Sequence, residues 1–296
     1  MLTPQTQHLQ LADAIGLDAN LYLKREDLHP YGSHKGRSIP LMIKYYYGLC
    51  HTNFCISSSG NAALAALFTI QQLNKQYPDN PCNLRIFVGR LISKEKLQRL
   101  QNEINDNRIT IEQVETPKQK AFQLDKEGAC KNLRQSIDDA ALTGYQILAN
   151  ELAEISRSSE GGKNISAVFI PTSSGTTAQG LYLGFKKIGI NPQIHIVQTP
   201  NCHPFVNSSE TGSSLAGAIV DTVGYRKKEI QKILDETNGR GWIAADSDIL
   251  EAQQLVQKKE NIEISPNSAL SVAGLQLALN AGLRFDGPVV CLVTGK

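Results

Sequence analysis

Lys35 is the residue of this sequence best placed for covalent chemistry. It lies in the run Pro30-Tyr31-Gly32-Ser33-His34-Lys35-Gly36-Arg37, ahead of Ile39-Pro40-Leu41-Met42-Ile43, which reads as the start of a helix. A lysine at a helix entry meets unpaired backbone N–H groups and the positive end of the helix dipole. That field disfavours the protonated amine and favours the neutral form that makes an imine. In isolation the commoner occupant of such a run is a solvated surface lysine in a glycine-punctuated turn. Three further stretches bear on the choice. Ser57-Ser58-Ser59-Gly60-Asn61 and Pro171-Thr172-Ser173-Ser174-Gly175-Thr176-Thr177 each lie between an apolar strand candidate and a helix candidate. Small hydroxyls and a glycine at a helix N-terminus form a cup of donors for a carboxylate or phosphate, and also make an ordinary capped helix start. The second cup groups five hydroxyls about one glycine, a donor set suited to a dianion. It lacks the Gly-Lys-Ser/Thr ending of a P-loop and the glycine spacing of a dinucleotide fingerprint. Val293-Thr294-Gly295-Lys296 puts a hydroxyl at the end of the last strand candidate, the edge at which open α/β sheets bind ligands.

Positioning these groups requires short strands alternating with longer helices. Strands are expected at 53–57, 84–88, 109–114, 167–170, 194–198 and 289–293. Several are almost wholly apolar, as strands buried on both faces of a parallel sheet must be. Helices are expected at 62–73, 94–105, 137–157, 178–188, 246–259 and 269–281, with Ser93 and Ser247 as caps near two of their starts. The alternation predicts an α/β fold. Residues 47–139 form a candidate small domain, and 1–46 with 140–296 the large one. Residues 201–217, rich in Ser, Asn and Gly, read as a long loop of the kind that often carries function.

Composition narrows the function classes. Thirty basic against 28 acidic residues give a formal charge of +2, with no electrostatic case for nucleic acid or an anionic membrane. Aromatic content of 6% argues against a base-stacking surface. No apolar run approaches a membrane span, and the first residues lack a signal-peptide pattern, so a cytoplasmic protein is expected. The six cysteines form no C-x-x-C pair and no metal-ligand grouping, which predicts reduced thiols and no metal.

In order along the chain, the four stretches resemble the fold-type-II pyridoxal-phosphate enzymes, the tryptophan synthase β-like superfamily. Residues 24–35 match a motif like K-x-E-x-x-x-P-x-G-S-x-K, and 58–61 match the S-S/T-G-N loop. The resemblance is strongest to threonine synthases, through 61–66, 180–188 and Ser265-Pro266-Asn267-Ser268-Ala269-Leu270-Ser271-Val272-Ala273-Gly274-Leu275. Threonine and serine dehydratases resemble much of it too. The resemblance implies two open, mostly parallel twisted sheets with helices on both faces, and a cofactor between a large and a small domain. It implies pyridoxal 5'-phosphate held by Lys35 as an internal imine, with Asn61 at the phenolic oxygen. Ser58, Ser59, Gly60 and Asn61 would bind the substrate carboxylate. Ser173, Ser174, Gly175, Thr176 and Thr177 would hold the phosphate, and Thr294 would face the pyridine nitrogen. It further implies a homodimer acting on a small amino acid by β/γ-elimination or replacement. A dehydratase and a cofactor-binding protein without turnover are the alternatives. The chain departs from the family pattern at Gly36, often Asp; in its Ser/Thr-rich cup, usually glycine-rich; and at Ser265, often Glu.

Overall fold

Runs of apolar side chains flanked by turns form the strands, and these assemble into two sheets. The computed structural model describes residues 2–158 and 162–296. In chain order the elements are β1 (Gln5–Gln7), α1 (Leu9–Ala14), β2 (Leu21–Arg25), α2 (Lys35–Gly48), β3 (Asn53–Ser57), α3 (Asn61–Gln76), β4 (Asn83–Gly89) and α4 (Lys94–Asn102). There follow β5 (Ile109–Val114), α5 (Pro117–Lys126), β6 (Lys131–Asn132), α6 (Thr143–Ser158), β7 (Ala167–Pro171) and α7 (Thr176–Lys187). The chain continues through β8 (Gln193–Gln198), α8 (Lys227–Thr237), β9 (Gly241–Ile243), α9 (Asp246–Glu260), α10 (Pro266–Asn280) and β10 (Val289–Val293). They divide into two units, Met1–His34 with Tyr145–Lys296, and Lys35–Gly144.

The first unit holds a six-stranded sheet in the order β1-β2-β10-β7-β8-β9. The edge strand β1 runs antiparallel to β2, and every other pairing is parallel. Every residue of β7 and β10 is buried, as a sheet covered on both faces requires. Leu11, Ile249 and Val272 from α1, α9 and α10 pack with Phe169, Val197 and Cys291 on one face. Leu148, Leu181 and Ile233 from α6, α7 and α8 pack with Val168, Ile196 and Leu292 on the other. The second unit holds an all-parallel sheet in the order β5-β4-β3-β6, with Ala121 and Leu124 of α5 packed on Cys55 and Phe87. The expected pair of open, mostly parallel sheets is what the chain forms. All six cysteines are free thiols.

Several boundaries differ from expectation. Helix α2 begins at Lys35 itself, with Pro40 inside it, so Lys35 opens the helix rather than preceding it. The expected helix from 137 is a short 3-10 turn, Asp139–Leu142, followed by α6. Ser93 does cap α4, its hydroxyl accepting from the Lys96 N–H. Ser247 does not cap α9, because Asp248 accepts from the Ala245 N–H and the helix starts at Asp246, two residues earlier than a Ser247 cap would allow. Strands β1, β2, β6 and β9 and helices α1, α5 and α8 are not among the expected elements. Gln-Thr-Gln carries no apolar signal, and only Ala121 and Leu124 of α5 are buried.

Candidate functional site

Two segments of interest leave adjacent strands at the same edge. Strands β10 and β7 are parallel neighbours with Cys291 opposite Phe169, so Thr294 and the 172–177 turn both follow C-terminal strand ends. Pro171 closes β7 and Gly175 starts α7 with φ +79°, a left-handed conformation natural to glycine. A Cβ there would also meet Cγ1 of Ile230 at 2.8 Å. The backbone is thereby bent so that the first N–H groups of α7, unpaired within the helix, face outward from the turn. Thr176 and Thr177 are buried, and the Ser174 and Thr176 hydroxyls lie 2.9 Å apart. Ser173 has a different engagement: its Oγ accepts from the N–H groups of Val220 and Asp221, at 3.0 and 3.1 Å.

Thr294 belongs to a buried cluster of hydroxyls. Its Oγ1 lies 3.5 Å from Oγ of Ser268, which is fully buried. Ser268 donates to the Gly295 carbonyl at 2.8 Å, and Ser265 donates to the same carbonyl at 2.6 Å. The Gly295 N–H in turn donates to Ser268 Oγ. A hydroxyl has one proton, so with the Ser268 proton committed to Gly295, Ser268 can only accept from Thr294, whose own proton is available across this long contact or to another acceptor. Ser265 and Ser268 lie in the run that resembles the threonine synthases, where a helix is expected only from 269; the helix in fact opens at Pro266. Pro266 at the first helical position was the available signal, since proline favours that place.

His34 is the second residue that sequence reasoning left without a role. Its backbone N–H and its Nδ1 both approach the Thr294 carbonyl, at 2.9 and 2.8 Å. A carbonyl only accepts, so Nδ1 carries the proton. Ser33 bridges Gly295, and the Lys296 N–H donates to the Gly32 carbonyl. The residue covalently before Lys35 is thus stitched to the end of β10. Upstream, Lys24 is fully buried, its Nζ donating to the Thr3 carbonyl (2.9 Å), Gln5 Oε1 (3.1 Å) and Glu151 Oε2 (2.9 Å). The first lysine of the motif therefore fastens β2 to the N-terminal segment and α6.

Lys35 opens the second unit, to which the 58–61 turn also belongs. That turn leaves the C-terminal end of β3, Ser58 Oγ accepts from the Gly60 N–H at 3.2 Å, and α3 starts at Asn61. Ser58, Ser59, Gly60 and Asn61 are all half-buried. Beside Lys35 the backbone packs tightly: a Cβ on Gly144 would collide with the carbonyl of Arg37. Among the described residues no group of three or more His, Cys, Asp or Glu could hold a metal, and no helix is long and apolar enough to cross a membrane.

A family model described as pyridoxal-phosphate dependent enzyme matches residues 2–295. The chain belongs to that family. Its cofactor is pyridoxal 5'-phosphate. Over 99% of its length the chain is 23% identical to threonine synthase of Methanosarcina acetivorans, covering 74% of that protein. Among solved structures it resembles the processed form of threonine deaminase isoform 2 of Solanum lycopersicum, with TM-score 0.79, 20% identity, 99% of this chain and 78% of that one. It also resembles a pyridoxal 5'-phosphate-dependent aspartate racemase, with TM-score 0.81, 17% identity, 100% of this chain and 90% of that one. These likenesses show a fold shared by enzymes of different reactions. The family's cofactor carries a phosphate, a pyridine nitrogen and a carbonyl that condenses with an amine. The residues fit it: a glycine-bent helix start rich in hydroxyls, a neutral hydroxyl with a proton to donate, and a lysine at a helix entry.

Proposed function

We propose that this chain catalyses β/γ-elimination or replacement on a small hydroxy-amino acid or its phosphate ester, in the manner of a threonine synthase. The observation that carries the reading is the shared strand edge. The hydroxyl of Thr294 and the 173–177 cup leave the adjacent strands β10 and β7, and His34, bonded to Thr294, immediately precedes Lys35.

On this reading Lys35 would hold the cofactor and, as a free amine, would serve as general base at the substrate α-carbon. Ser173, Ser174, Gly175, Thr176 and Thr177 hold the phosphate by hydroxyls and by the N–H groups opening α7. Ser58, Ser59 and Gly60 bind the substrate carboxylate at the start of α3, and Asn61 donates to the phenolic oxygen. Thr294 donates its proton to the pyridine nitrogen. The groups bonded to one another around Thr294 are the hydroxyls of Ser265 and Ser268 and the Gly295 carbonyl, and a neutral hydroxyl partner leaves that nitrogen unprotonated. Bound pyridoxal phosphate supplies an electron sink for the pair left at the α-carbon. The neutral partner at Thr294 keeps that sink weak, which favours departure of a β- or γ-substituent over transamination.

The test has two stages. Purified protein titrated with pyridoxal phosphate should show the visible band of lysine-bound cofactor, and Lys35→Ala should lack it. Wild type is then assayed on O-phosphohomoserine for phosphate release, and on L-threonine and L-serine for ammonia and keto acid. Phosphate release supports the synthase reading. Ammonia and keto acid without it mark an ammonia-lyase instead, and bound cofactor with no turnover on any of the three refutes the proposed activity.

A further inference from the structure

The 201–217 loop noted in the sequence is part of a longer one, without helix or strand from 203 to 226. Despite that, its middle is firmly tied. Ala216 and Ile219 are buried in the core beneath α9 and α10. The Leu215 N–H donates to Asp246 Oδ1 at 2.8 Å, and the Ala218 N–H donates to Asn267 Oδ1 at 2.9 Å. The Ile219 N–H turns back to the Ala216 carbonyl, and the N–H groups of Val220 and Asp221 converge on Ser173 Oγ. Asn267 adjoins Ser268 of the hydroxyl cluster around Thr294, and Ser173 opens the phosphate cup. Residues 215–221 therefore run from the ring-nitrogen end of the proposed cofactor site to its phosphate end, latched at both.

We propose that this strap senses the cofactor phosphate through the Ser173 hydroxyl. The inference rests on the reading that the 173–177 turn holds that phosphate. Ser173 Oγ has two lone pairs and one proton, and the strap N–H groups occupy the two lone pairs. The hydroxyl can then act only as a donor toward any third partner, and a phosphate oxygen is an acceptor. Two incoming donors polarise the O–H and strengthen that donation, and a dianion at the proton strengthens the hold on the two N–H groups. A glycine at this place would leave the strap without its phosphate-end latch, so the serine that departs from the family's glycine-rich cup acquires a specific task. Ser173 is accordingly a positioning residue for the strap as well as a phosphate donor.

Amide hydrogen exchange of the strap tests this. Cofactor-free protein is compared with protein holding pyridoxal phosphate, protein holding pyridoxal, which lacks the phosphate, and protein with inorganic phosphate alone; cofactor binding is verified separately by absorbance. Exchange at Val220 and Asp221 should slow by about fivefold or more with pyridoxal phosphate, the effect of one strengthened hydrogen bond, and by under about twofold with pyridoxal. Ser173→Thr should keep the phosphate dependence and Ser173→Ala should lose it, while the Ala218 amide, held by Asn267, stays unchanged in both. Equal exchange with pyridoxal phosphate and pyridoxal overturns the inference, as does phosphate dependence that persists in Ser173→Ala. Should Ser173→Ala not fold, the wild-type ligand series and Ser173→Thr decide. Failure of wild type to show the cofactor band at all overturns the reading on which the inference rests, and the absorbance record separates that outcome from a strap that ignores phosphate.

Discussion

Acidification should destabilise this protein through one buried imidazole, His195 on β8. The ring has no exposed surface and stacks on Phe169 at 4.5 Å, with Phe285 edge-on at 5.9 Å. Its Nε2 lies 3.1 Å from Gln193 Oε1, while Nδ1 lies 3.2 Å from both the Arg240 N–H and the Trp242 Nε1–H. Those two donors need a lone pair at Nδ1, so the ring is neutral with its proton on Nε2. Burial first, and the positive charge of Arg240 second, lower its pKa to about 4. In the unfolded chain the same ring titrates near 6.5. With the folded value the lower, the stability is complete above about pH 6.5 and is lost as the pH falls toward 4, because the unfolded chain binds the proton first. From these two values the loss at pH 5 relative to pH 8 is about 2 kcal/mol, rising to about 3 kcal/mol below pH 4. The assay is urea unfolding at pH 8 and pH 5 for wild type and His195→Gln, whose difference in stability isolates this group from the other titrating residues. The gap should change by about 2 kcal/mol in favour of the variant at pH 5. A gap that stays flat across that range, or an imidazole signal assigned to His195 that titrates near 6.5 in the folded protein, refutes the argument.

Three other outcomes follow from the same kind of accounting. Glu151→Ala leaves the buried Lys24 ammonium without its counter-charge and should cost about 3–5 kcal/mol in urea unfolding, whereas Lys24→Met with Glu151→Leu should recover most of it. Gly144→Ala puts a methyl against the Arg37 backbone and should cost about 1–3 kcal/mol in unfolding; the cofactor titration should weaken with it, since Arg37 is in the first turn of the helix that Lys35 opens. Thr294→Val removes the one hydroxyl proposed to reach the pyridine nitrogen and should weaken cofactor affinity about five- to tenfold in an absorbance titration, with the unfolding midpoint of the cofactor-free protein little changed.

The order of the chemistry-bearing turns is local information, and it was legible. Ser58-Ser59-Gly60 follows β3 and Ser173-Ser174-Gly175 follows β7 because apolar runs declare the strands and small residues the turns. The start of α2 was misplaced because Pro40 looks like a first-turn residue, when the helix in fact opens at Lys35 and carries the proline inside. Strand β1 was invisible because an edge strand needs no apolar face, and Gln-Thr-Gln pairs with β2 through its backbone alone. Among the proposed site residues, those in Gly- and Ser-punctuated turns can be read from the sequence. Those whose importance lies in a partner more than a hundred residues away, His34 with Thr294 and Lys24 with Glu151, cannot.

What the amino-acid sequence determined by itself is therefore the fold class, the family resemblance and the run of lysine, cups and terminal hydroxyl, because strand periodicity, turn residues and helix starts are set by neighbours along the chain. What the tertiary structure alone decided is how those groups are used. It committed the Ser173 lone pairs to the strap at 220–221, surrounded Thr294 with Ser265 and Ser268, stitched the residue before Lys35 to the end of β10, and buried Lys24 as a fastening. Each of these is a hydrogen bond or ion pair between residues far apart in sequence, formed only once parallel strands bring their ends to one edge. No pattern confined to a window of the chain encodes such a pairing.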